Sequence, residues 1–225
     1  MLGHILWILA AAGLSFVVAA TFAGGLGLKR NGYLVAYILI AGGFVAEYYF
    51  WSATNILDQL QRGWISGLVA AGVTGLIAVR SVLSQPYGPR SQRARLVLDV
   101  IWSGTFYGLV DGMLLSVFPI MATQNALTEF AWTDGILGQM GLGALALLAS
   151  LVVALAYHLG YAEFRSRRVI WALAGNGIFS LAFIVSGNPL AAVLPHIAMH
   201  VAAVVHGPDA TLQLPPHTKR TSTSW

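Results

Sequence analysis

The chain contains no cysteine. That removes disulfides, iron–sulfur clusters and thiolate metal sites at once, so any metal must sit on His, Asp or Glu. Charge is nearly as scarce. Only 9% of the 225 residues are Asp, Glu, Lys or Arg, where a soluble domain carries about 25%. Lysine occurs only at Lys29 and Lys219. No apolar segment therefore offers an amine for a retinal-type Schiff base. A phosphate-cradling glycine loop, a nucleophile elbow and an HExxH zinc motif are all missing. The net charge of +4 gives no nucleic-acid signature, because the basic residues fall singly or in short groups between apolar runs.

What is abundant is hydrophobic side chain, at 57%. It is gathered into tracts, most of which approach or exceed the roughly 20 residues needed to cross a bilayer. The reading is an all-α, polytopic transmembrane helical bundle of about seven spans: 2–28, 33–53, 64–79, 96–121, 135–160, 169–186 and 190–205. Residues 1–207 form the transmembrane domain and 208–225 a polar tail. Eleven of the twelve Lys and Arg residues lie in the turns after spans one, three and five or in the tail, and only Arg62 lies on the other side. The positive-inside rule then places the N-terminus outside and the C-terminus in the cytoplasm.

Polar residues inside such spans are costly and mark function. In span four, Ser103, Tyr107 and Asp111 recur every four residues and form one polar stripe. Gly104, Gly108 and Gly112 form an adjacent stripe that invites close approach by another helix. In span seven, His196 and His200 share a face. With Asp111 they make a midplane set, while His158, Glu163, Arg165 and His206 make a set at the cytoplasmic mouth. Tilted helices would merge the two layers into one cavity. Two His at i and i+4 with a carboxylate from another helix can hold a divalent metal, zinc above all, so His196, His200 and Asp111 are the candidate ligands. The same imidazoles can instead exchange protons or join helices by hydrogen bonds. In span six, Asn176 and Ser180 lie one turn apart. After span seven, 212–217 has two readings: a segment that folds back over the mouth, bringing His217 near His206 and His158, or an ordinary polar tail, which the composition favours.

The C-terminal third, about 155–205, resembles the CAAX protease and bacteriocin-processing family of intramembrane proteases. Ser186-Gly187-Asn188-Pro189, the apolar run to Pro195-His196, and His200 resemble its last motif, a small-residue turn followed by HxxxN. Gly177 to Phe183 resembles its FxxxH motif, and Phe164-Arg165-Ser166 the end of its EExxFRG segment. The resemblance implies a membrane-embedded hydrolase acting on a membrane peptide, in a bacterial cytoplasmic membrane. It assigns His196 the family's histidine role, Glu163 that of the base, and Arg165 or Arg167 that of its partner. Gly160-Tyr161 stand at the paired glutamates, Phe183 at the FxxxH histidine and His200 at the asparagine. His158 and His200 are the residues available to re-form the site. A lesser resemblance, carried by Ser103, Asp111 and the His196–His200 pair, is to the alkaline ceramidase and adiponectin-receptor hydrolases. It implies zinc and a lipid-like substrate. A non-catalytic membrane scaffold is the remaining alternative.

Overall fold

A computed structural model describes residues 1–89 and 92–217. Its long helices are α1 (Leu2–Gly25), α2 (Arg30–Trp51), α4 (Trp64–Leu83), α5 (Arg93–Leu127), α6 (Ile136–Gly160), α7 (Arg168–Ser186) and α8 (Leu190–His206), with a short α3 (Ile56–Gln61) between α2 and α4. No strand occurs among the described residues. The first six long helices are long and apolar enough to cross a membrane, while α8, at 17 residues, is shorter. Large apolar side chains point outward along the bundle: Leu39, Leu76, Leu137 and Val185 are all exposed. A water-soluble monomer does not leave so much apolar surface uncovered.

Helix α5 is the centre. At 35 residues it is the longest, and 72% of its most apolar window is buried, against 22–33% in the other five membrane-length helices. It is not regular. Two π-helical segments, Val100–Phe106 and Gly112–Val117, bracket the α-helical turn Tyr107–Asp111. The sequence expectation that span four stops at Met121 is corrected here, because the helix continues to Leu127 through the polar Thr123-Gln124-Asn125. Two of those side chains find partners inside the bundle. Thr123 bonds back to the Pro119 carbonyl. The Asn125 amide donates to the Tyr48 and Thr54 hydroxyls, 3.1 Å from each. Composition read a loop where satisfied polar groups permit helix.

Helix α8 lies along the glycine stripe of α5. A Cβ built on Gly104 would sit 2.8 Å from Val201, one on Gly108 2.7 Å from the Ile197 Cα, and one on Gly112 2.9 Å from the Val193 Cα. The neighbour admitted by the stripe is thus the helix that carries both His196 and His200. Gly187 ends α7 at φ +69, a left-handed conformation that suits glycine. The next residue, Asn188, is fully buried. Its amide nitrogen lies 3.1, 3.0 and 2.7 Å from the carbonyls of Gln59, Leu60 and Arg62, and its Oδ1 accepts from the Leu190 N–H at 2.9 Å. One side chain thereby closes α3 and opens α8. Asn188→Ala leaves the three carbonyls with less and uncaps the helix, at a cost of about 1–3 kcal/mol. A lowered midpoint of thermal unfolding in detergent is the expected result.

A second polar knot holds α5, α6 and α7 together. Ser116 donates to Asn176 Oδ1 at 3.0 Å, the Asn176 amide donates to Ser150 at 2.9 Å, and Ser180 donates to Ser116 at 3.0 Å. Ser150 also reaches the Leu115 carbonyl at 2.6 Å. That carbonyl lies in the second π-helical segment. Asn176 and Ser180 do share a face, and the face is turned inward.

Candidate functional site

The helices α4, α5, α6, α7 and α8 enclose a cavity of about 480 Å³. Its wall contains Asp111, His158, His196 and His200 together, so one member of the mouth set, His158, joins the midplane set in one space. Most of the remaining surface is apolar, with Ile77, Phe179 and Met199 among its components.

Asp111 sits at the end of the α-helical turn between the two π segments and is buried. Each carboxylate oxygen has its own donor. Tyr37 of α2 gives its hydroxyl to Oδ1 at 2.6 Å, and His200 of α8 gives its Nε2–H to Oδ2 at 3.1 Å. Tyr107 lies against the His200 ring, with centroids 4.5 Å apart. Because Nε2 carries the proton toward Asp111, the neutral tautomer of His200 leaves Nδ1 as the basic atom. That Nδ1 is buried and has no hydrogen-bond partner among the described residues.

His196 is fixed from its other nitrogen. Its Nδ1–H donates to the Ala192 carbonyl one turn back, at 2.8 Å, and its ring meets Phe179 edge-on at 4.7 Å. His158 repeats the device with Ala154 at 2.7 Å. Each ring is thus oriented by the backbone of its own helix, with Nε2 left over. The orientation is a second-shell effect supplied by the helix itself.

A cluster of five tyrosines adjoins this group, and sequence reasoning did not single it out. Tyr157 is the hub, its hydroxyl 2.6 Å from that of Tyr107, 2.7 Å from Tyr161 and 3.4 Å from Tyr33. Tyr161 also bonds to Tyr33. Tyr37 stacks on Tyr33 with centroids 5.7 Å apart and reaches Asp111. Burial pushes the Tyr161 phenol well above its ordinary value, so it stays a neutral donor. The missed signal was present: Tyr33 with Tyr37, and Tyr157 with Tyr161, are i and i+4 pairs, and each pair projects from one helix face.

The zinc expectation named His196, His200 and Asp111 as ligands. Among the described residues no group of three or more His, Asp or Glu is placed to hold a metal ion. His200 turns its Nε2 to Asp111, and Asp111 has both oxygens engaged, so the donors pair with one another and with Tyr37 instead of converging on a common point.

Glu163 and Arg165 are outside this cavity wall. Glu163 lies in a 3-10 turn after α6 and bonds through Oε2 to His217 Nδ1 at 2.8 Å. Arg165 is exposed and donates to the Leu159 carbonyl at 3.0 Å. The residues matched to the protease motifs therefore divide, with His196 and His200 on the wall and Glu163 and Arg165 beyond it.

His217 has the partner it does because 207–217 does not trail away. Arg30 clamps the segment, donating to the carbonyls of Leu214 at 2.8 Å and Pro208 at 2.9 Å and pairing with Asp209 at 2.9 Å. Gln85 holds it from the other side: it receives the Leu212 N–H at 3.0 Å, donates to Gln213 at 3.0 Å, and accepts from His206 Nε2 at 2.8 Å. Leu212, Gln213 and Pro215 become part of the cavity wall. The folded-back reading of this stretch describes residues 212–217. The end of the tail, 218–225, lies outside the described residues.

Compared with known proteins, the chain matches no family model, no curated protein and no solved structure. Its chemistry has to be read from the site alone.

Proposed function

We propose that this is an integral membrane protein, oriented with its basic end in the cytoplasm, that performs acid–base chemistry on a lipid-like substrate inside the cavity. Hydrolysis of an ester or amide linkage is the reaction class. One observation carries the reading: His196 and His200 each have one ring nitrogen fixed and the other without a partner among the described residues, and both rings belong to the wall of a cavity large enough for a small substrate.

In this reading His200 Nδ1 takes the proton from an attacking water while Asp111 holds the ring and stabilises the imidazolium. The same Nδ1 then hands that proton to the leaving group, while His196, whose Nδ1–H is anchored on Ala192, offers its Nε2 lone pair as an acceptor that orients the water. His158 is the third imidazole available to the cavity. The CAAX-type resemblance supports hydrolysis, and His196 is the residue that serves both. The family's glutamate chemistry finds less support, because Glu163 is paired with His217 and does not belong to the wall. A mainly apolar wall favours a lipid-like substrate over a peptide.

The test is turnover of a panel of long-chain acyl esters and amides by protein in lipid nanodiscs, beside Asp111→Asn and His200→Gln. Asparagine can still accept from Tyr37 but offers His200 an N–H. The ring must then accept at Nε2 and carry its proton on Nδ1, which removes the base. We expect wild-type turnover and a loss of at least about 100-fold in both variants, with near-native unfolding temperatures. Turnover equal in wild type and Asp111→Asn would sink the reading.

A second reading has its own observation. The Tyr37–Asp111–His200 chain links α2, α5 and α8, and the Ser116–Asn176–Ser150–Ser180 knot links α5, α6 and α7. Such contacts serve a non-catalytic scaffold equally well. Its signature is no turnover on any member of the panel, with a stability loss in His200→Gln as large as in Asp111→Ala.

A further inference from the structure

The cavity carries information about which lipid-like molecule it takes. Three features bear on this. The first is a cation. Arg168, in the first turn of α7, belongs to the wall. Its guanidinium has no hydrogen bond or ion pair to any described residue. The side chain is exposed, and the carboxylates Glu163 and Asp111 are engaged elsewhere, Glu163 with His217 and Asp111 with His200 and Tyr37. The second is an opening. Ile77 of α4 and Trp171 and Ile178 of α7 line the cavity and are also exposed, by 51%, 74% and 40%. The wall is therefore open to the outside of the bundle along those apolar side chains. The third is a closure. At the basic end the strap 207–217, held by Arg30 and Gln85, lies against the cavity with Leu212, Gln213 and Pro215.

We infer that the cavity binds an anionic amphiphile, with a phosphate-type head at Arg168 and a hydrocarbon chain that enters sideways between α4 and α7. Spacing along α7 agrees with this: Arg168 and Ile178, both on the cavity wall, are ten residues apart, about 15 Å along the helix axis. A head held at the arginine thus leaves its chain to run along α7 past Ile178, with His200 on the same wall. Arginine suits a phosphate because its planar donors bind two oxygens together. An aromatic such as Trp171 at the rim suits a boundary between head groups and chains. The inference rests on the proposed function for the role of His200 but not for binding itself.

The experiment uses the full chain in zwitterionic nanodiscs and three probes with one diazirine-bearing dodecyl chain: dodecyl phosphate, dodecyl maltoside and dodecyltrimethylammonium. Photolabelling is read by peptide mapping. Dodecyl phosphate is expected to label the α4 and α7 segments around Ile77 and Ile178. Arg168→Gln should weaken its labelling about tenfold, a change of roughly 1.4 kcal/mol, and leave dodecyl maltoside labelling unchanged. Ala174→Trp, in the opening, should abolish labelling by every probe. Excess inorganic phosphate separates the two sources of the anion: failure to compete means that the chain is required, and full competition would overturn the amphiphile in favour of a free-phosphate site. Equal labelling by all three probes, or dodecyl phosphate labelling indifferent to Arg168→Gln, overturns the anionic head. The outcome is separable from that of the reaction. Phosphate-selective labelling without turnover removes the hydrolase and keeps this site, while turnover without phosphate-selective labelling does the reverse.

Discussion

Asp111→Ala is expected to lower stability by about 3–5 kcal/mol, the larger of two effects anticipated for single substitutions. The carboxylate serves two buried donors from two other helices, Tyr37 at 2.6 Å and His200 at 3.1 Å. Its removal leaves a phenol and an imidazole without partners in a region where water does not reach them easily, and the loss is the desolvation of both. Asp111→Asn is the control. It retains an acceptor for Tyr37 and a polar contact to His200, so its unfolding temperature should stay within a few degrees of wild type even where chemistry is lost. The measurement is thermal or denaturant unfolding in detergent, followed by circular dichroism. If Asp111→Ala unfolds at the wild-type midpoint, the carboxylate does not hold α2, α5 and α8 together.

Gly108→Val is expected to disrupt the bundle by a different route. Even a Cβ at this position would lie 2.7 Å from the Ile197 Cα and 2.9 Å from the His196 carbonyl. Both are backbone atoms of α8 that cannot rotate away, so the two helices must separate along the stripe. Overpacking of this kind costs about 1–3 kcal/mol, and it moves the helix that carries both imidazoles. Gly43→Val supplies the comparison, because a Cβ there meets nothing within 4 Å. The pair should differ strongly in expression yield and in unfolding midpoint. Equal behaviour would mean that α5 and α8 are not in close contact in the folded protein.

Much of this was legible in the sequence, for physical reasons that can be named. Apolar length marks helices of this kind directly, so each of the seven expected segments coincides with a long helix, including 190–205 against Leu190–His206. Small residues at spacing four announce a close neighbour, and Gly104, Gly108 and Gly112 have one. Asp111 and His200 were gathered into one layer by counting depth along oppositely directed segments, and they are in fact bonded. Partners far apart in sequence were harder to foresee. Nothing local to Glu163 announces His217, and nothing local to Arg30 announces the carbonyls of Pro208 and Leu214. The tyrosine cluster was overlooked because phenols pass for ordinary apolar or interfacial residues until their hydroxyls are seen to meet. The end of α5 is not legible because Thr123-Gln124-Asn125 has the composition of a loop, and nothing in the sequence shows that Tyr48 and Thr54 meet Asn125.

The π-helical segments of α5 have a consequence for how this chain tolerates changes in length. A π turn accommodates one residue more than an α turn. Along α5 the polar spacing runs 103, 107, 111 and then steps to Ser116 instead of 115, across the segment Gly112–Val117. The extra residue works as a phase shifter: upstream it leaves Tyr107 and Asp111 facing the imidazoles, and downstream it turns Ser116 toward Asn176. Deleting one residue there would let the backbone relax into a regular α-helix in which the serine follows Asp111 by four residues, so the two polar faces would stay aligned. The same deletion in a regular stretch of α5 would instead rotate everything beyond it by about 100°.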